Sequence, residues 1–383
     1  MSIENKVDAL FQSEFSRKPS LFIAPARINI IGEHTDYNDG FVMPTAIDKY
    51  FVFGITPNES ELSTIHALDL DEKVSFSKDD LRPGHGWQNY LMGVIDGLIR
   101  RRKIPGGVNV VFGSNIPAGA GLSSSAALCS GFGFALNTLF DLSLDRLELA
   151  KISQEAEHHF IGAKVGIMDM YASLFSKKDS VMLLDCRNYT HEYLPLGFTD
   201  HEIILIDTKV KHTLASSEYN NRREACEEGV KAIQHQFENV KALRDVRVSM
   251  LDKLRLELDE TVYRRCLYVV QEIDRIQKAA TLLKSKDVST FGTLMYETHW
   301  GLSKLYEVSC TESDWLVRLA GENHITGARQ MGGGFGGCTI NLIRKSQRVT
   351  FEEQVRKKYF DEFKKEPEFY SVNLTRGVHE VNR

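Results

Sequence analysis

No run of apolar residues in this 383-residue chain approaches the ~20 that a membrane-spanning helix needs. The opening MSIENKVDALFQSEF carries acids in an amphipathic pattern, not the basic start and apolar core of a signal peptide. Cysteine is scarce: six, at 129, 186, 226, 266, 310 and 338, with no C-x-x-C pair. That excludes a disulfide scaffold and makes free thiols in a reducing cytoplasm the expectation. The Asn-x-Ser/Thr triplets at Asn58, Asn188 and Asn373 are then chance matches. An excess of basic charge is missing too. Forty-seven Lys and Arg face 52 Asp and Glu, a net charge of −5. Neither nucleic acid nor an anionic membrane is expected as a partner. G-x-x-x-x-G-K-[ST], H-E-x-x-H and G-x-S-x-G are all absent, which removes the Walker-type nucleotide site, the zincin site and the hydrolase elbow. His158-His159 is no metal pair, because adjacent helix positions point in different directions.

What remains is an ordinary globular composition, 42% hydrophobic and 26% charged. The length suggests two or three domains. β-branched and aromatic content predicts strands at 21–24, 41–45, 50–55, 108–112, 181–185, 203–207 and 339–343. Apolar periodicity predicts helices over 123–140, 147–160 and 217–237, with further helical patterns to about 305. The texture changes near 195–215, and we place the division between domains at 205/206, giving 1–205 and 206–383.

Four segments stand out. Pro117–Ala127 reads PAGAGLSSSAA, two glycines and then three serines opening an apolar helix. Serine is a good N-cap, and a helix start holds unpaired N–H groups, so this is a phosphate cradle. No lysine accompanies it, so positive charge must come from a metal or from elsewhere. Arg27 and the run Gly32–Asn38 set donors and acceptors between two apolar strands, a set suited to a ligand with many hydroxyls or to a hydrophilic hairpin. In such a set Glu33 and Asp36 accept from hydroxyls, and His34 can do either. In Gly166-Ile-Met-Asp169, downstream of the helix carrying Glu157, Asp169 suits a general base, a metal ligand or a helix N-cap. The glycine run 332–337 formally fits a dinucleotide fingerprint. It precedes a strand rather than a helix, with about 40 residues left, so NAD is rejected. So many glycines point instead to close backbone approach.

Together these segments resemble the GHMP small-molecule kinases, and within them the galactokinase branch. PARINIIGEHTDYNDGFVMPTAID (25–48) is similar to that branch's signature, and PAGAGLSSSAAL (117–128) to the superfamily's phosphate loop. GIMD (166–169) stands where the family keeps its catalytic Asp. GWQNYLMGV (86–94), HTLASSEYNNRREACEE (212–228) and GARQMGGGFGGCTI (327–340) resemble further blocks. Met170 stands where many members have Gln, and Gln330-Met331 where many read Met-Thr.

The resemblance implies an α+β fold of two domains, the first like ribosomal protein S5 and the second ferredoxin-like, with the active site in the cleft. It implies ATP-dependent phosphorylation of the anomeric hydroxyl of α-D-galactose by a cytoplasmic monomer. Glu33, His34, Thr35 and Asp36 would hold the sugar, and Tyr219 would close its pocket. Asp169 would be the base, with Arg27 beside it. Gly119, Ala120, Gly121, Leu122, Ser123, Ser124 and Ser125 would wrap the ATP phosphates. Ser125 and Glu157 would hold Mg²⁺, and the run 332–337 would approach the nucleotide. The alternatives are a kinase for N-acetylgalactosamine or L-arabinose, and a non-catalytic sugar sensor.

Overall fold

The computed structural model describes residues 1–381 except 102, 104, 105 and 211–214. The start of the 212–228 block therefore lies outside the described residues. In the first half, a six-stranded sheet runs in the order His379–Glu380, Ser20–Asn29, Pro44–Pro57, Val108–Ser114, Ser63–Ala67, Glu72–Phe76. All neighbours are antiparallel except Ser63–Ala67 beside Val108–Ser114. Side chains alternate across a strand, so each central strand serves two cores. Leu21, Val52 and Val111 face Val7 and Phe11 of the helix Ile3–Phe15. Their neighbours Phe22, Phe53 and Phe112 join the opposite core. That core is closed by the helices Gln88–Arg100, Ser124–Leu139, Arg146–Ala156 and Met168–Phe175. Met170 is fully buried there, which explains an apolar residue at that position. A small sheet of Phe41–Val42, Ser180–Asp185 and Thr190–Pro195 flanks the large one.

In the second half an antiparallel sheet runs Gly327–Gln330, Cys338–Arg344, His201–Asp207, Glu368–Ser371. Ile204, Ile206 and Ile343 pack on the helices Thr311–Glu322 and Arg348–Phe363. The other face, with Leu205, Ile340 and Leu342, packs on the helices Glu260–Ser285 and Val288–Lys304. The same cluster contains Ile28, Ile30, Met43, Ala120 and Leu122 from the first half. One apolar core thus spans both halves and fixes the cleft between them.

The expected division at 205/206 is corrected by this topology. It cuts the strand His201–Asp207, which pairs along its whole length with Cys338–Arg344. The tail also leaves the second half: Thr375 N–H donates to Ala46 O at 2.9 Å, and His379 and Glu380 pair with Ile23 and Phe22. A two-residue strand carries no periodicity, and no local pattern says which sheet a strand joins. The helix expected over 147–160 is α-helical only to Ala156; Glu157–Ile161 is a π turn. Such turns occur often at functional sites.

Candidate active site

Gly119 and Gly121 both adopt φ +75°, outside the range most side chains tolerate. The two bends leave Gly119 and Gly121 at the surface and bury Ala120 and Leu122 in the shared core. The side chains of Ala120 and Leu122 anchor the loop in the core, so it is the loop's backbone that faces the cleft. Arg27 N–H donates to Leu122 O at 3.4 Å and Cys338 N–H to Ala120 O at 3.2 Å, so a main-chain bond from each half holds the loop. Ser123 sits at φ +54° and does not cap the helix Ser124–Leu139. Among the described residues no side chain caps the first-turn N–H groups, the condition under which a helix start binds an anion.

The Ser123 hydroxyl donates instead to Asp169 Oδ2, at 2.5 Å. Arg27, from the strand Ser20–Asn29, reaches the same carboxylate twice: Nε to Oδ1 at 2.6 Å and Nη2 to Oδ2 at 3.1 Å. Arg27 Nη1 donates to Gly121 O at 2.9 Å. One guanidinium therefore ties the phosphate loop to Asp169, with the planar fork that lysine lacks. Asp169 is the second residue of the helix Met168–Phe175 and does not act as its cap. The Met168 N–H donates to Asp36 Oδ2 at 3.3 Å.

The polar run 33–36 divides into cavity-facing and structural residues. Glu33 Oε1 accepts from Gly332 N–H at 2.8 Å and from Arg329 Nη2 at 3.0 Å. His34 takes φ +63°, and its Nδ1 shares a hydrogen bond with Tyr37 Oη at 2.8 Å. Burial pushes the His34 imidazolium down to about 3, so the ring is neutral, with one donor and one acceptor. Burial, and then the Asp169 charge, raise Asp36 to about 6. Thr35 is not brought to the cavity. Its hydroxyl lies 2.5 Å from Phe41 O and 3.1 Å from Gly32 O, closing the loop. The expectation that Thr35 holds ligand is corrected accordingly.

Glu157, on the π turn, is buried beside the Ser125 hydroxyl. Burial, and then the Asp169 charge, raise its carboxyl from 4.5 to about 7, against the Ser125 hydrogen bond and the Arg27 charge. Among the described residues no three His, Cys, Asp or Glu side chains cluster as a metal cage. Two hard oxygen donors facing one space suit a cation that also takes phosphate and water.

These groups share one cavity of about 290 Å³. Of the expected residues, Arg27, Glu33, His34, Asp36, Gly121, Ser123, Ser125, Glu157, Asp169 and Tyr219 line it. Ser124 and Gly119 lie outside it, at the surface. Tyr219 packs tilted against His34 and edge-on to Tyr37, with ring centres 5.2 and 5.6 Å apart. The glycine run meets the phosphate loop: a Cβ on Gly332 would lie 3.1 Å from Gly121 O, and one on Gly333 3.3 Å from Tyr219 Cδ2. Sequence reasoning missed Arg329, whose signal was its place in the GARQ block beside that run. It also missed Gly166 as a wall, since only the fold brings Asp36 against it.

Comparison with known proteins agrees with this architecture. The family described as "GHMP kinases N terminal domain" matches residues 89–177, and "GHMP kinases C terminal" matches 279–361. The "Galactokinase galactose-binding signature" matches residues 9–57. The galactokinase of Thermotoga neapolitana is 40% identical over 94% of this chain and 99% of its own. That of Clostridium acetobutylicum is 37% identical over the whole of both chains. The crystal structure of Lactococcus lactis galactokinase complexed with galactose covers 99% of this chain and 100% of its own, at TM-score 0.95 and 29% identity. With its two halves, its phosphate loop and its polar cradle in this arrangement, the chain belongs to the galactokinase family of the GHMP kinases.

Proposed function

We propose that the chain transfers the γ-phosphoryl group of ATP to the anomeric hydroxyl of α-D-galactose, giving galactose 1-phosphate and ADP. One observation carries this reading: Asp169, joined to both Arg27 and Ser123, stands between the phosphate loop and the Glu33–Asp36 cradle in a single cavity. The relatives' names and the galactose held by the Lactococcus lactis enzyme support the choice of sugar.

In this reading Glu33, His34 and Asp36 take the sugar hydroxyls, and Tyr219 covers them. Asp169 receives the C1 hydroxyl and its proton as that oxygen bonds to the γ phosphorus and the bond to the β-bridging oxygen breaks. A carboxylate offers about four acceptor sites, so the three protein donors on Asp169 leave room for one more. Arg27 holds Asp169 in place and sets a permanent positive charge beside the transferred group. The helix start at Ser124 stabilises the phosphates. Ser125 and Glu157 would hold Mg²⁺, which when bound offsets charge on the β and γ phosphates. We read the active species as a single chain in the cytoplasm, the compartment that six free thiols fit; light scattering and cell fractionation test the two points.

A coupled ADP assay with galactose, N-acetylgalactosamine, L-arabinose and glucose tests the proposal, with galactose expected to give the highest kcat/KM. Preference for another sugar would change the substrate, and sugar binding without ATP turnover would make the chain a sensor. The cradle gives a second test. A Cβ on Gly166 would fall 1.8 Å from Asp36 Oδ2, so Gly166→Ala must displace that carboxylate. The expected result is a ~10-fold or larger rise in galactose KM, the scale of a lost charged hydrogen bond, at unchanged ATP KM. Unchanged galactose KM would remove Asp36 from the sugar site.

A further inference from the structure

Arg329 is fully buried on the strand Gly327–Gln330. A guanidinium is expensive to bury unless its donors are all used. Here most of them are aimed at one stretch of the other half of the molecule. Nε donates to Ile30 O at 2.8 Å, while Nη2 donates to Asn29 O and, at 3.0 Å, to Glu33 Oε1. Nη1 donates to Gln330 O at 2.6 Å, fixing the guanidinium to its own strand. Two further groups from the second half hold the same stretch. The Tyr268 hydroxyl donates to Glu33 O at 3.1 Å, and the buried Glu272 accepts from Gly32 N–H at 2.9 Å.

We infer that Arg329, backed by Tyr268, is a positioning residue for the sugar: it fixes Glu33 so that one carboxylate oxygen serves the protein and the other faces the cavity. Oε1 receives both Arg329 and Gly332 N–H, which sets the rotation of the carboxylate. Oε2 is then the oxygen available to a ligand, and Glu33 lines the cavity. Because the two fixing groups ride on the second half, the sugar cradle is complete only when the halves are seated as described. The inference rests on the reading of Glu33 as a sugar ligand given above.

A structural clamp and a positioning residue predict different kinetics. Loss of a clamp harms both substrates and the melting temperature alike. Loss of positioning raises galactose KM and spares ATP. The test compares the wild-type chain with Arg329→Lys, Glu33→Gln, their double variant and Tyr268→Phe, measuring kcat and both KM values. Arg329→Lys keeps the charge and loses the fork. It is expected to raise galactose KM ~10-fold, with ATP KM within ~2-fold. The double variant is expected to be no worse than Glu33→Gln, the non-additivity of two groups acting as one. Equal damage to both substrates, multiplied losses in the double variant, or no change would overturn the inference. If Arg329→Lys does not fold, Tyr268→Phe decides: a rise confined to galactose KM supports the inference, and its absence overturns it. Galactose KM unchanged in Glu33→Gln would instead overturn the assignment of Glu33 to the sugar, and the inference with it.

Discussion

Asp169→Asn is expected to lower turnover by ~10²–10⁴-fold, the usual loss on removing a general base, while galactose still binds. Asparagine has the same shape and can still accept from Arg27, so the connection to the phosphate loop at Gly121 persists. What disappears is the proton acceptor and one negative charge. That charge has a second effect, independent of catalysis. Burial, and then the Asp169 charge, hold Asp36 at about 6. A protonated Asp36 is a poorer acceptor for sugar hydroxyls, so galactose affinity in the wild-type protein falls as pH drops through about 6. In Asp169→Asn the fall moves to lower pH, because the neighbouring charge is gone. Calorimetric titration of galactose at several pH values checks this, and an unmoved profile would show that the two carboxylates do not share a site. Near-normal turnover would remove Asp169 as base.

Glu157→Gln is expected to cost ~10²-fold or more in turnover by weakening the electrostatic hold on the phosphates, yet to stabilise the ligand-free protein. The sign follows from linkage. Glu157 titrates at about 7 in the folded chain against an ordinary value of 4.5. Between those values the folded state keeps a proton that the unfolded state has released, so this group's contribution to stability falls as pH rises from 4.5 to about 7. Above that window the folded protein carries a buried charge that glutamine lacks. The variant should melt higher at pH 8, by about 3 kcal/mol in stability, and about level with wild type at pH 4.5. Mg²⁺ should close the gap by stabilising wild type and not the variant. Melting curves at pH 4.5 and 8, with and without Mg²⁺, read all three effects. A variant less stable than wild type at pH 8 without Mg²⁺ would contradict the burial argument, and equal stabilisation of both by Mg²⁺ would remove Glu157 as its ligand.

The residues that carry chemistry were legible where the chemistry is local. Gly119, Gly121 and the three serines announce a helix start with free N–H groups, because backbone freedom and capping are properties of adjacent residues. The roles of individual side chains were less so. Thr35 stands among ligand-type residues, yet its hydroxyl closes a turn. Ser123 looks like a cap, and its left-handed backbone turns it to Asp169. Ala120 and Leu122 belong to a core assembled from both halves, which only the fold reveals. Edge strands such as Glu72–Phe76, exposed along most of their length, lack the alternation that marks a strand, and the returning strand His379–Glu380 is too short to show any. The division at 205/206 cut a strand that the sequence had shown at 203–207, because nothing local says that this strand pairs with Cys338–Arg344. Composition says little about local chemistry. A net charge of −5 does not exclude ATP, because backbone N–H groups at a helix start, Arg27 and a bound Mg²⁺ can supply positive charge locally.

Phosphorus NMR of the purified chain with ATP, Mg²⁺ and α-D-galactose tests most directly whether one cavity joins the phosphate loop to the anomeric hydroxyl. The expected spectrum shows ADP and a single sugar phosphate in equal amounts, with the phosphorus coupled to the anomeric proton, and neither in Asp169→Asn over the same time. Phosphate attached to any other sugar carbon, or ADP formed with free phosphate and no sugar product, would contradict the placement of Asp169 at the C1 hydroxyl.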